Sequence, residues 1–433
     1  MPADSGEAAL DIETLAGLAP RTTIDVLQAP NNGNGLYNIF KKWVTADTDK
    51  TISVSWGLCE AETSTATLNA TEALFEQAVA QDQTAFSAAG DSGSTGCSTN
   101  ATANAKVSAV SPASDPYVIG VGGTSLDINS NNDLVEVAWN DSDLGAGAGG
   151  GGVSSHWCMP AYQHRTNIPG IINSHSVKEK SCATGYARQV PDVAALGDPA
   201  IGYAVVVNNE WIQVGGTSAA TPVWASIAAL TDDSAFCSAY KSKGEFLPQN
   251  LYAATTTYHG YVYQSNPQGF DDITNGNNDY TPSGYNGGLY PTGRGFDMVT
   301  GLGTPMLSGL TGLYGGGHGE WHTYLVGLTQ LLCHQSATTG KTPKVTSVSP
   351  SSGPGGKAEK VVVHGSGFLG IGSAEAAQII SGGKVLASVG ASCTATKCTI
   401  TVPAESARTV DIKIFALSLW SSPLTVKDHY RYK

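Results

Sequence analysis

From its start to about residue 312, the chain alternates short apolar runs with stretches of helical period. The runs TIDVLQ, KTISVSWG, DPYVIGVGG and IGYAVVV are rich in β-branched residues and read as strands. Strands alternating with helices predict an α/β fold, a mostly parallel sheet with helices on both faces. Residues 313–343 break the rhythm with a Gly run, a short amphipathic stretch and a polar Thr/Gly/Pro segment, which predicts a linker. From 344 to 433 no helical period remains, and PKVTSVSPSSGPGG, KVVVHGSGF, CTITVPAES and VDIKIFALS alternate between Pro and Gly turns. A stretch of that kind predicts a small all-β sandwich. The expected organisation is 1–312, a linker at 313–343, and 344–433.

Composition narrows the function classes. Charged residues make up only 14 %, with 36 Asp+Glu against 23 Lys+Arg, so clustered positive charge for nucleic acid or an anionic membrane is not expected. No apolar run is long enough to span a bilayer. The opening MPADSGEAAL has neither a basic start nor an apolar stretch, so an export signal lies upstream or the protein is not secreted. Eight cysteines without CxxC or Cys/His zinc spacing argue for disulfides in an oxidising, extracellular compartment. The expected pairs are Cys59–Cys97, Cys158–Cys182, Cys393–Cys398 and Cys237–Cys333, although spacing alone does not fix connectivity.

The most specific chemical signal is Gly215-Gly216-Thr217-Ser218-Ala219-Ala220-Thr221-Pro222, between the strand-like EWIQVG and the helical PVWASIAAL. A serine at a strand-to-helix turn exposes its hydroxyl beside free helix N–H groups, which can stabilise an oxyanion. An ordinary N-cap serine would occupy the same place. The complete string nevertheless resembles the nucleophile motif shared by subtilisins and sedolisins. No histidine upstream of Ser218 stands in a motif suited to a Ser-His-Asp triad, and Gly90-Asp91-Ser92-Gly93 lacks the continuation of a chymotrypsin-like site.

Carboxylates remain as bases. Glu7 and Asp11 are spaced i, i+4 in GEAALDIE and share one helix face, a pattern that in isolation usually marks a solvated surface. Together with Ser53-Val54-Ser55-Trp56-Gly57, Ala89-Gly90-Asp91-Ser92-Gly93, Val121-Gly122-Gly123-Thr124, the GGGGVS run at 149–154 and Pro191-Asp192-Val193, this string resembles the sedolisin family of serine-carboxyl peptidases across residues 5–306. The resemblance implies a subtilisin-like fold and a secreted, acid-active endopeptidase acting on polypeptides as a monomer. It makes Ser218 the nucleophile, Glu7 its base, Asp11 the partner that hydrogen-bonds Glu7, Asp91 the protonated oxyanion donor, and Trp56 a support for the acids. It also implies a pro-region and earlier strands ahead of the acid-bearing helix, so this sequence is expected to be an N-terminally truncated form.

Two further resemblances complete the reading. Phe270 to Asn277 with Gly293-Arg294-Gly295-Phe296-Asp297 is similar to the sedolisin calcium loop. It implies one structural Ca2+ held by Asp272, Asp297 and the carbonyls of Ile273, Gly293 and Gly295. The tail resembles an IPT/TIG Ig-like module, through VTSVSPSSGPGG at 345–356 and HGSGF at 364–368. Such a module implies a spacer or adhesion role, with contact to a surface glycan or protein as the sharper reading. The rival readings are a tripeptidyl-peptidase of the same fold and an inactive, truncated surface protein.

Overall fold

The computed structural model describes the chain outside residues 1–4, 33, 99–105, 166–167, 234–246, 255–269, 282–286, 306–343, 367–374, 383, 395, 417–419, 422–424 and 426. Two compact units result, Met1–Asp233 with Lys241–Pro305, and Ser234–Tyr240 with Met306–Lys433. The 313–343 linker and the Cys237–Cys333 pair fall outside the described residues.

The first unit is built on β1 (Thr51–Val54), β2 (Thr84–Ala88), β3 (Val118–Ile128), β4 (Leu134–Ala138) and β5 (Val193–Leu196). β1, β2 and β3 are parallel neighbours in that order, β5 joins β3 in parallel, and β4 pairs with β3 antiparallel. Parallel pairing needs a crossover, supplied between β1 and β2 by helix α2 (Thr65–Ala80). Ser64 starts that helix by accepting the Thr67 N–H at 3.1 Å.

Residues of α1 (Gly35–Ala46) and α2, among them Phe40, Trp43 and Phe75, bury together with Val54, Ala85 and Val118. Helix α3 (Thr217–Asp233) packs along β1, β2, β3 and β5 without joining that cluster. Four successive residues of β2, Ala85 to Ala88, are therefore buried without alternation, the signature of a strand covered on both faces.

Two of the apolar runs behave differently from the expected central strands. TIDVLQ at 23–28 joins no sheet. Its Leu27 packs on the α1–α2 cluster, and the run ends at Pro30, which has no N–H to give a ladder. IGYAVVV forms β6 (Tyr203–Val207), which among the described residues pairs only with β7 (Glu210–Val214), in an antiparallel hairpin. Asn208 and Asn209 make its two-residue turn with φ of 52° and 69°, as a type I′ turn requires.

That hairpin carries the N-terminal helix Ser5–Leu18, whose Leu10 buries against Val205 and Ala219. Glu13 on this helix accepts the Val206 N–H at 2.9 Å. The motif residue Asp192 ends up in the interior, with Oδ2 2.6 Å from Arg188 Nη2 and both side chains fully buried. Gly120 N–H and the Tyr252 hydroxyl, each at 2.8 Å, complete its shell and tie the strand ends together.

The described residues of the second unit, from Lys344 on, form β-strands and their connections. Its strands follow one hydrogen-bonded order, beginning with Lys344–Ser349 and Glu359–Ser366 and ending with Thr409–Ala416, His429–Tyr432 and Ser352–Gly353. Val345 and Val348 from one end share a buried cluster with Tyr430 and Tyr432 from the other, so the sheet folds over on itself. Cys59–Cys97 and Cys158–Cys182 are bonded as expected. Cys398 is also disulfide-bonded, and the strand register places Cys393 directly opposite it. No helix among the described residues is long and apolar enough to cross a membrane.

Candidate active site

Three segments distant in sequence meet around Ser218. Strand β7 ends at Val214, the chain turns through Gly215 and Gly216, and α3 begins at Thr217, five residues earlier than the PVWASIAAL run suggests. Pro222 therefore lies inside the helix. There it forfeits the main-chain bond to the carbonyl of Ser218, four residues back, and its ring crowds that carbonyl. That carbonyl stays open toward the site, 3.4 Å from the Ser55 hydroxyl. The proline of the motif thus keeps the first turn around the serine partly unsatisfied.

The N-terminal helix packs on α3 and presents Glu7 and Asp11 to the same place. The Glu7 carboxyl lies near enough to the Ser218 and Ser55 hydroxyls for both to favour its charged form, while its buried Oε1 has no hydrogen-bond partner. Ser55 Oγ donates to Asp11 Oδ1 at 2.7 Å. Burial pushes the pKa of Glu7 up, opposed by those hydroxyls and reinforced by the charge of Asp91. Asp11 is pushed up to about 7, first by burial and also by the neighbouring Glu7. Ser55 is bonded to Asp11 and not to Glu7, and among the described residues no direct hydrogen bond links the two carboxyls.

Asp91 comes from the loop after β2. Its Oδ1 accepts both the Thr217 N–H at 2.7 Å and the Thr217 hydroxyl at 2.9 Å. The same hydroxyl accepts the Gly90 N–H at 3.1 Å, which fixes its own proton toward Asp91. With Oδ1 serving twice as acceptor, a proton on Asp91 belongs on Oδ2. Gly216 borders that oxygen with φ of +100°, and a Cβ there would lie 2.7 Å from it. Glycine is required at this position for both reasons. Asp91 keeps an open surface toward the cleft, yet protein packs densely behind it. That lost hydration raises its pKa against the two Thr217 bonds.

The glycine run anchors the Asp91 loop through Ala148 N–H to the Asp91 carbonyl at 3.0 Å and Gly150 N–H to the Gly90 carbonyl at 2.7 Å. Ser218, Glu7, Asp11 and Asp91 are therefore brought together. Trp56 is placed beside Ser55 but is 44 % exposed and, among the described residues, makes no hydrogen bond to either acid. Ser55, Thr217 and Glu13 are contributors that sequence reasoning passed over. Ser55 and Thr217 stand inside the quoted motifs, and only their hydroxyls marked them.

The two acids of the calcium reading are both bonded to the loop at 293–297. Asp272 Oδ2 accepts the Gly295 N–H at 2.8 Å, and Asp297 Oδ2 accepts the Gly293 N–H at 3.0 Å, so both acids gather on one loop. Asp297 Oδ1 takes the N–H groups of Val299 and Thr300 as well. Burial raises Asp272 to about 6 and Asp297 to about 7.

Comparison with known proteins bears on this arrangement. Residues 5–269 match the model of the subtilase family, and residues 343–427 match the IPT/TIG domain. Kumamolisin of Bacillus sp. (strain MN-32) is 36 % identical over 303 residues, covering 70 % of this chain and 49 % of that protein. Tripeptidyl-peptidase 1 of Homo sapiens is 29 % identical over 313 residues, covering 70 % and 51 %. The chain spans about half the length of these relatives. A structure of Pseudomonas sedolisin, a serine-carboxyl proteinase complexed with pseudo-iodotyrostatin, superposes with a TM-score of 0.54 at 29 % identity, covering 69 % of this chain and 76 % of that one.

Proposed function

Because the chain belongs to the subtilase family and its first unit is a sedolisin-type serine-carboxyl peptidase domain, we propose that it cleaves polypeptides internally in an acidic extracellular setting. The observation that carries this reading is the meeting of the Ser218 hydroxyl, the Glu7 carboxyl and the unengaged Asp91 Oδ2 around one cleft.

In the proposed reaction, Ser218 Oγ attacks the scissile carbonyl while Glu7 takes its proton. Asp91, protonated on Oδ2, donates to the oxygen that becomes negative in the tetrahedral intermediate. Collapse expels the amine, which recovers the proton from Glu7 and leaves an acyl-enzyme. Water repeats the sequence to release the acid. Asp11, held by Ser55, keeps a proton next to Glu7 and so limits the negative charge of the pair. The proposed catalytic residues all lie in 1–312, which leaves the 344–433 module a spacer or adhesion role.

The endopeptidase mode is tested with a peptide blocked at its amino end and an otherwise identical free one. Equal cleavage at internal bonds is expected. Release of successive tripeptides from the free peptide alone would make the protein a tripeptidyl-peptidase instead.

Calcium fits the loop by the chemistry of its donors. The buried Asp297 and half-buried Asp272 carboxylates, with the carbonyls of Ile273, Gly293 and Gly295, would supply an all-oxygen set from two segments, 272–273 and 293–297. A bound dication would neutralise Asp272 and Asp297 and fix the loop, with no part in bond cleavage. Chelation is expected to lower the melting temperature, and added calcium to restore it. Identical melting with chelator and with excess calcium would remove this assignment.

A further inference from the structure

The second unit carries a side-chain cluster that peptide hydrolysis leaves unused. Asp411 sits between the buried Val410 and Ile412 in strand Thr409–Ala416, so its side chain lies on the outer face of the sheet. Its register partner on strand His429–Tyr432 is His429. His429 Nε2 is 3.0 Å from Asp411 Oδ1. The preceding residue, Asp428, is pinned by the backbone. Its carbonyl accepts the Ile412 N–H at 3.0 Å, and its Oδ2 accepts the Thr425 N–H at 2.6 Å. One ligand-type atom from each of Asp411, Asp428 and His429 lies within 4.8 Å of the other two.

What singles this cluster out is the remaining oxygen of Asp428. The residue has no accessible surface, and its Oδ1 has no hydrogen-bond partner. A hidden carboxylate oxygen without a donor is costly, and a bound cation is one of the few things that offsets it.

The donor types select the ion. Calcium and magnesium favour oxygen alone, whereas an imidazole nitrogen with two carboxylates suits zinc and its first-row neighbours. Tetrahedral zinc with bonds of about 2.0–2.2 Å holds its ligand atoms roughly 3.4 Å apart. His429 Nε2 and Asp411 Oδ1 are 3.0 Å apart and no pair of the three ligand atoms exceeds 4.8 Å, so side-chain adjustment alone can bring them to that spacing. We propose that Asp411, Asp428 and His429 form a zinc-type divalent-cation site, pre-positioned by strand register and by the bond from the Thr425 N–H to Asp428. Three protein ligands leave one coordination position for water. The ion would fasten the C-terminal strand to its neighbour.

The test is calorimetric titration of the full chain with Zn2+ near neutral pH, with saturating calcium to occupy any oxygen-only site. Co2+ absorption in the visible serves as a second readout. The wild type should take up one Zn2+ that His429→Ala and Asp428→Asn each weaken at least tenfold, and both variants should lose the Co2+ band. His429 is 44 % exposed, so its variant folds even if the buried Asp428 substitution does not, and in that case the His429→Ala titration alone is decisive. Equal Zn2+ affinity in wild type and His429→Ala, or no uptake by the wild type, would overturn the proposal.

Discussion

Ser218→Ala is expected to cut hydrolysis of a reporter peptide in acid by roughly 10⁴–10⁶-fold, with the melting temperature unchanged. The side chain is small and only 8 % exposed, so the substitution removes an oxygen without opening a cavity. Glu7→Gln should cost nearly as much, because a nucleophile whose base cannot take a proton is as disabled as a missing one. The sharper check is therefore the double variant. Groups acting as one unit are grossly non-additive, and Ser218→Ala with Glu7→Gln should be no slower than either alone. Additive losses would mean that Glu7 acts elsewhere than on the Ser218 proton. Substantial activity in Ser218→Ala would end the serine-peptidase reading outright.

What the sequence made legible depended on how local each signal was. The i, i+4 spacing of Glu7 and Asp11 needs only a helix to place both acids on one face, and the helix is there. Gly216 and Pro222 flank the serine for reasons that backbone geometry alone supplies. Ser55 was hidden because its role exists only once β1 meets the N-terminal helix and α3, and no local pattern encodes that meeting. The placement of IGYAVVV failed for a different reason. An apolar run does not say which strand it will pair with, yet the Asn208-Asn209 pair between two alternating runs was a readable hairpin signal. The hairpin matters to the site, since Val205 and Val206 hold the helix that carries both acids.

Activity should be greatest in acid and fall toward neutrality, the reverse of any mechanism that relies on a neutral histidine base. In the active form Asp91 carries a proton on Oδ2, while Glu7 and Asp11 share one between them. Burial raises all three pKa values, Asp11 to about 7, so these protons persist above the ordinary carboxylate range. The alkaline limb appears when Asp91 or the pair gives up its proton, and the acid limb when the pair gains a second one and Glu7 can no longer accept from Ser218. Because the groups interact, each limb reports a property of the set and not of one residue. Asp91→Ala removes the oxyanion donor and should lower kcat by about 10²–10³-fold. Asp91→Asn keeps a donor that does not titrate. Its amide can still offer Oδ1 to the Thr217 N–H and hydroxyl and place Nδ2 where the proton of Oδ2 was. This variant should retain more activity than Asp91→Ala, and its alkaline limb should move up in pH, leaving only the decline set by Glu7 and Asp11. The measurement is kcat against pH for the wild type and both variants on one internally cleaved peptide. A wild-type optimum at or above neutrality would defeat the carboxyl mechanism, and an Asp91→Asn profile that simply scales the wild-type curve would take the oxyanion role away from Asp91.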